Sequence, residues 1–177
     1  ESVYDYPYLS SSANHIFDVT VGLAHSSSEA TATPGQYGSI FGESNFGATA
    51  QFAKKRNIYD QMAQVLIPYD VSGNIRRFDQ NGDLNEGTSD TKFNEALFIN
   101  FARLLTKDEI KKGTFSIQFL TGGTTPANRS NLLTISDYGA SSSFLVNSPS
   151  GEYGLLYTGS NDAGQKTRAV GHVYYQA

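Results

Sequence analysis

The chain contains no cysteine and no tryptophan. Without cysteine it can form no disulfide, no thiolate nucleophile and no Cys-based zinc or iron–sulfur site. A chain of 177 residues needs no such staple, because folding at this size buries roughly 70% of the surface the unfolded chain exposes. Without tryptophan, a sugar-binding platform would have to be built from tyrosine. Paired carboxylates for glycoside cleavage are not legible either, since their pairing is spatial. Charge is also scarce: Asp, Glu, Lys and Arg make up 17% of the residues, below the roughly one quarter of an ordinary domain. A net charge of −4 and a pI near 5.3 leave no overall positive field to displace counterions from nucleic acid. The basic runs Lys54-Lys55-Arg56, Arg76-Arg77 and Lys111-Lys112 lie near acids and read as solvated faces. No run approaches the ~20 apolar residues of a membrane-spanning helix, and no stretch reads as a signal peptide. Phosphate-cradling glycine loops are missing too.

Gly, Ser, Thr and Tyr take up the room that charge leaves. Gly and Ser serve turns, while Tyr and Thr serve half-buried strands, so the composition is that of a β-rich, loop-rich protein. Residues 1–14 are Tyr- and Ser-rich and read as an extended, irregular arm. Over 15–24, Phe17, Val19, Val21 and Leu23 alternate with polar residues, which predicts a strand. The polar, Gly-rich stretch 25–47 reads as a long loop of the kind that serves function or is ordered by a neighbour. Phe52, Ile58, Tyr59, Met62, Val65 and Leu66 predict a helix from about Ala48 to Leu66, ended by Pro68. A second helix is expected from about Asp90 to Leu105, with Phe93, Leu97, Phe101, Leu104 and Leu105 as its stripe. Thr106-Lys107-Asp108-Glu109 then makes a capping box, and Gly113 a stop. Further strands are predicted at Phe115–Phe119, Leu132–Ser136, Phe144–Val146, Tyr153–Tyr157 and Arg168–Tyr175, separated by turns. The expected fold is α+β and β-rich: an antiparallel meander or sandwich with two central helices packed on it. Residues 15–177 are expected to form a single domain with a helical insertion at about 48–112. The start at Glu1 and the end inside a predicted strand suggest a fragment of a longer chain.

A short pattern occurs twice. Tyr69-Asp70-Val71-Ser72-Gly73-Asn74-Ile75 is echoed by Phe78-Asp79-Gln80-Asn81-Gly82-Asp83-Leu84. Each copy suits a tight turn, with Asp closing it and Gly at positive φ. It resembles the unit of tyrosine–aspartate repeat proteins, but two copies are too few for a repeat fold. The second copy opens a weak calcium candidate. Asp79, Asn81, Asp83 and Asp90 fall at loop positions 1, 3, 5 and 12, where a calcium loop places oxygens. Leu84 stands where that loop wants Gly, and Asp90 is shorter than the usual bidentate Glu. The competing reading is a hairpin turn followed by a helix N-terminus.

Catalytic motifs are poor. Gly42-Glu43-Ser44-Asn45-Phe46-Gly47 approaches a nucleophile elbow, but its second glycine is one place late and no buried strand precedes it. His15, His25 and His172 could in principle serve Ser44, and His15 and His25, ten residues apart, have no partner at metal-ligand spacing. Asn128-Arg129-Ser130 is a glycosylation sequon of the sort that arises by chance. No catalytic residue, cofactor or firm metal site is therefore expected.

A family resemblance runs through the middle of the chain. Ile58-Tyr59-Asp60-Gln61-Met62-Ala63-Gln64-Val65-Leu66, the turn Arg76-Arg77-Phe78-Asp79, Ala96-Leu97-Phe98-Ile99-Asn100-Phe101 and the run from Leu104 to Phe115 carry it. Ser136-Asp137-Tyr138-Gly139-Ala140 and Val173-Tyr174-Tyr175-Gln176-Ala177 add to it. In these segments the chain resembles large virion structural proteins of T4-like marine tailed phages, especially cyanophages. The resemblance implies a building block of tail, baseplate, neck or shell, located in the virion. Its partners would be further copies of itself and other virion proteins, with no nucleic acid, no membrane and no catalysis. Such a subunit relies on aromatic anchors and arms. Tyr4, Tyr6, Tyr8, Tyr37, Phe41 and Phe46 are the interface candidates. The alternative is a host-surface or glycan-binding adhesin domain with Tyr-bearing loops.

Overall fold

A computed structural model describes residues 1–5, 14–24, 50–84, 91–102, 109–120, 132–158 and 168–176. The protein is β-rich α+β, and its strand pairs are antiparallel. Its strands are β1 (Ser2–Asp5), β2 (Asn14–Leu23), β3 (Glu95–Phe101), β4 (Ser116–Leu120), β5 (Leu132–Ser136), β6 (Leu145–Ser148), β7 (Gly151–Thr158) and β8 (Gly171–Tyr174). Two helices are described, α1 (Ala50–Leu66) and the single turn α2 (Ala140–Ser143). The chain divides into two compact units.

The first unit holds the sheet β1-β2-β3 and helix α1. Residues 2–5, inside the expected irregular arm, form a strand instead. Val3 pairs with Phe17, and Glu1 and Val19 exchange backbone hydrogen bonds. Helix α1 lies where the periodicity puts it. Phe52, Tyr59 and Ala63 are its buried stripe, at the spacing of a single helix face, whereas Val65 is exposed. Gly22 admits the helix to the sheet, because a Cβ there would meet Phe98 Cε2 at 2.6 Å and Tyr59 Cα at 3.0 Å. The Tyr59 ring meets Phe98 edge-on, and its hydroxyl donates to the Phe93 carbonyl.

The second predicted helix is overturned. Residues 95–101 are strand β3, in register with β2 from Phe17↔Phe101 to Leu23↔Glu95. The physical reason is that both faces of β3 are apolar. Ala96 and Phe98 share the face of Gly22 that meets α1, while Leu97, Ile99 and Phe101 share the face of Val21, Val19 and Phe17. A run that is apolar on both faces loses the alternation that marks a strand. Within 48–112, α1 is therefore the helix among the described residues. The capping box at 106–109 falls mostly outside them.

The second unit holds the sheet β4-β5-β7-β6, with β8 also on β7. Tyr153, Leu155 and Tyr157 alternate along β7 and pack with Ala169, Leu145 and Tyr174. Val173 and Tyr175 form a second cluster with Ala140, joined by Phe115, Phe144 and Leu156. Asp137, buried at 1% exposure, ties this cluster together. One of its carboxylate oxygens accepts the Phe115 N–H at 2.9 Å. The other accepts the Gly113 N–H at 2.7 Å and the Tyr175 hydroxyl at 3.0 Å.

Candidate functional site

The second copy of the repeated turn is a densely hydrogen-bonded polar feature of its unit. Gly82 takes φ +71, and the turn folds over so that Asp79 Oδ2 accepts the Leu84 N–H at 2.9 Å. Leu84 itself adopts φ 58, so leucine makes the sharp bend for which a calcium loop uses glycine. Asn81 Oδ1 accepts the Asp83 N–H, and Asn81 Nδ2 donates to Asp83 Oδ2 at 2.9 Å. Asp79 is 1% exposed, and its Oδ2 lies 3.3 Å from Lys92 Nζ. The two residues also form an antiparallel bridge, and the Gln80 N–H donates to the Thr91 carbonyl.

Of the four calcium candidates, Asp79, Asn81 and Asp83 thus lie in one turn. Lys92 supplies a cation to Asp79, and Asn81 and Asp83 bond to each other. Asp90 lies outside the described residues. The backbone pairing across Asp79 and Lys92 is that of a hairpin. The helix expected after it is replaced by β3. Among the described residues, no group of three or more His, Asp or Glu side chains is placed to hold a metal ion.

The turn is docked on β6, β7 and β8. Asn147 Nδ2 donates to the Gly82 carbonyl at 2.8 Å, and the Tyr153 hydroxyl lies 3.0 Å from the same oxygen. Gln80 Nε2 donates to the Ala169 carbonyl at 2.9 Å. Phe78 meets the His172 ring edge-on at 6.2 Å, and His172 also packs on Tyr153 at 5.3 Å. Burial, which disfavours the imidazolium, lowers the pKa of His172 to about 4; a hydrogen bond to the Asp79 backbone works the other way. Burial is also the main reason the Tyr153 hydroxyl titrates above its ordinary range, with the nearby Asp79 charge adding to it. These groups make a neutral, aromatic, structural cluster. No local pattern in the sequence signals this cluster, because it joins residues from three distant segments.

Among the interface candidates, Tyr4 is 49% exposed and lies 5.2 Å from the His15 ring. His15 Nε2 is 3.0 Å from Asp18 Oδ1. Hydrogen bonds from Ser2 and then His15 lower the pKa of Asp18. Tyr6, Tyr8, Tyr37, Phe41 and Phe46 lie outside the described residues, as do Ser44 and His25. Other exposed apolar side chains carried no signal in the sequence. Val71 is 98% exposed and Val146 68% exposed, while Leu120 and Leu132 face each other across β4 and β5 at 53% and 51%.

No protein-family model matches the chain, and no curated protein or solved structure is significantly similar to it.

Proposed function

We propose that the protein is a structural subunit of a tailed-phage virion that works by assembling with copies of itself and with other virion proteins, without catalysis. The supporting observation is the set of large apolar side chains held in water by ordered elements. Val71 sits at the tip of a hydrogen-bonded turn, and Val146, Leu120 and Leu132 stand on strands. Side chains presented this way suit association surfaces. The polar chemistry supports the same reading, since Asp79, Asp137 and His172 are all engaged in holding the fold.

A second reading, a glycan-binding adhesin domain, draws on Tyr69 and Tyr138, which are half-exposed in turns or loops and could stack on sugar rings. Solution mass and glycan-array binding separate the two. Concentration-dependent oligomers that ignore glycans support assembly. A stable monomer that retains glycans overturns it.

A further inference from the structure

Strand β4 lies at the edge of the sheet of the second unit, and among the described residues β5 is its strand partner. On the far side of an edge strand, alternate residues turn N–H and C=O groups away from the sheet, open to another strand. Natural edges are usually blunted by lysine, proline or a bulge. Ser116-Ile117-Gln118-Phe119-Leu120 has no charge and no proline, and its register with β5 is unbroken from Ser116↔Ser136 to Leu120↔Leu132. Ile117 and Phe119 share a half-buried face with Ile135 and Leu133, so an apolar stripe runs up to the edge.

We infer that β4 pairs antiparallel with β4 of a second copy, across a two-fold axis at Gln118. The inference rests on the assembly reading and names one of its surfaces. The strand itself points to a second copy. A register centred on Gln118 uses all of both strands and brings no like charges together. It sets each Ile117 opposite Phe119 of the other copy and each Ser116 opposite Leu120. A β-branched residue opposite an aromatic is a favourable cross-strand pair. The half-buried stripe of one copy then continues into that of the other. The contact is isologous, and it closes instead of propagating.

Sedimentation equilibrium on the whole chain tests this with Gln118→Lys and Gln118→Glu. The Gln118 side chain is exposed and, among the described residues, its hydrogen-bond partner is Thr134 Oγ1, at 3.3 Å, so both variants keep the fold. Wild type should dimerise. Each variant alone places like charges face to face on the axis and should weaken the dimer about tenfold or more. An equimolar mixture of the two should restore it. Association that is unchanged in both variants overturns the strand pairing and leaves the assembly reading standing. A wild-type chain that stays monomeric overturns the pairing and self-assembly together.

Discussion

The two copies of the aromatic–Asp–x–x–Gly–Asn/Asp–aliphatic pattern solve the same local problem in opposite surroundings. In both, the glycine takes positive φ, +81 at Gly73 and +71 at Gly82, and the aspartate accepts backbone N–H groups. At 69–75 the hydrogen bonds are local, and every residue but the half-buried Asp70 is exposed. Asp70 Oδ1 accepts the Ser72 and Asn74 N–H groups, Oδ2 accepts Asn74 Nδ2, and Val71 stands in water. At 78–84 the aspartate and glycine are buried, and the turn bonds to side chains more than sixty residues away. Seven similar residues dictate the turn in each case. The surroundings decide whether it is a surface loop or a structural plug.

The largest difference between the copies should appear on removing the aspartates. Asp79→Ala removes the buried carboxylate that pairs with Lys92 and accepts the Leu84 N–H, and losing one partner of a buried ion pair costs about 3–5 kcal/mol. Asp70→Ala removes hydrogen bonds that water can replace, so its effect should be much smaller. Urea denaturation of both variants checks the ranking. Equal losses would mean that the 78–84 turn is not buried in solution.

Gly82→Ala comes next. A Cβ at this position runs into Leu145 Cδ1 and comes within 3.1 Å of the Tyr153 hydroxyl. Overpacking and the left-handed backbone together should cost on the order of 3 kcal/mol. Loss of the Tyr153 and Asn147 contacts to the Gly82 carbonyl would be visible as faster amide exchange in residues 80–84. A Gly82→Ala protein as stable as wild type would break the contrast.

Acid should also separate the turns. The folded state holds His172 neutral down to about pH 4, whereas an unfolded histidine takes up its proton from 6.5. The unfolded chain therefore binds more protons within that window. The contribution is full above 6.5 and shrinks as pH falls towards 4, by on the order of 3 kcal/mol in all. His172→Phe should flatten the slope of stability against pH between those values. The exposed turn has a different window. Backbone and side-chain hydrogen bonds from Asn74 lower the pKa of Asp70, so its contribution is present above the ordinary 3.8 and lost only in stronger acid. A stability slope that survives in His172→Phe would place the acid sensitivity elsewhere.

The turns were legible in the sequence because Asp and Gly act over a few bonds. Helix α1 was legible because Phe52, Ile58, Tyr59, Met62, Val65 and Leu66 keep a mostly helical spacing up to Pro68. Strand β5 was read at its observed limits from Leu132-Leu133-Thr134-Ile135-Ser136, between turn residues. Strand β3 was not, because Ala96-Leu97-Phe98-Ile99 offers apolar side chains to both faces and so imitates a buried helix. Strand β1 was hidden because Ser2-Val3-Tyr4-Asp5 is too short to show a period. The docking of Phe78, Gly82 and His172 was invisible for a further reason. Partners such as Asn147, Tyr153 and Ala169 meet the turn only after the strands have paired, and no local pattern encodes that meeting.

The smallest effect belongs to Gly73→Ala, and it isolates the backbone term. No atom lies within 4 Å of a Cβ built at Gly73, so packing contributes nothing. What remains is the left-handed backbone at φ +81, which a β-carbon disfavours by about 1 kcal/mol. A partial offset comes from the narrower unfolded ensemble of alanine. The net loss should therefore stay near or below ~1 kcal/mol. Subtracting it from the Gly82→Ala loss leaves the share due to burial alone, because the two positions have nearly the same φ. If Gly73→Ala costs as much as Gly82→Ala, the loss at 82 is backbone strain, and the packing of Leu145 and Tyr153 against that turn contributes little to stability.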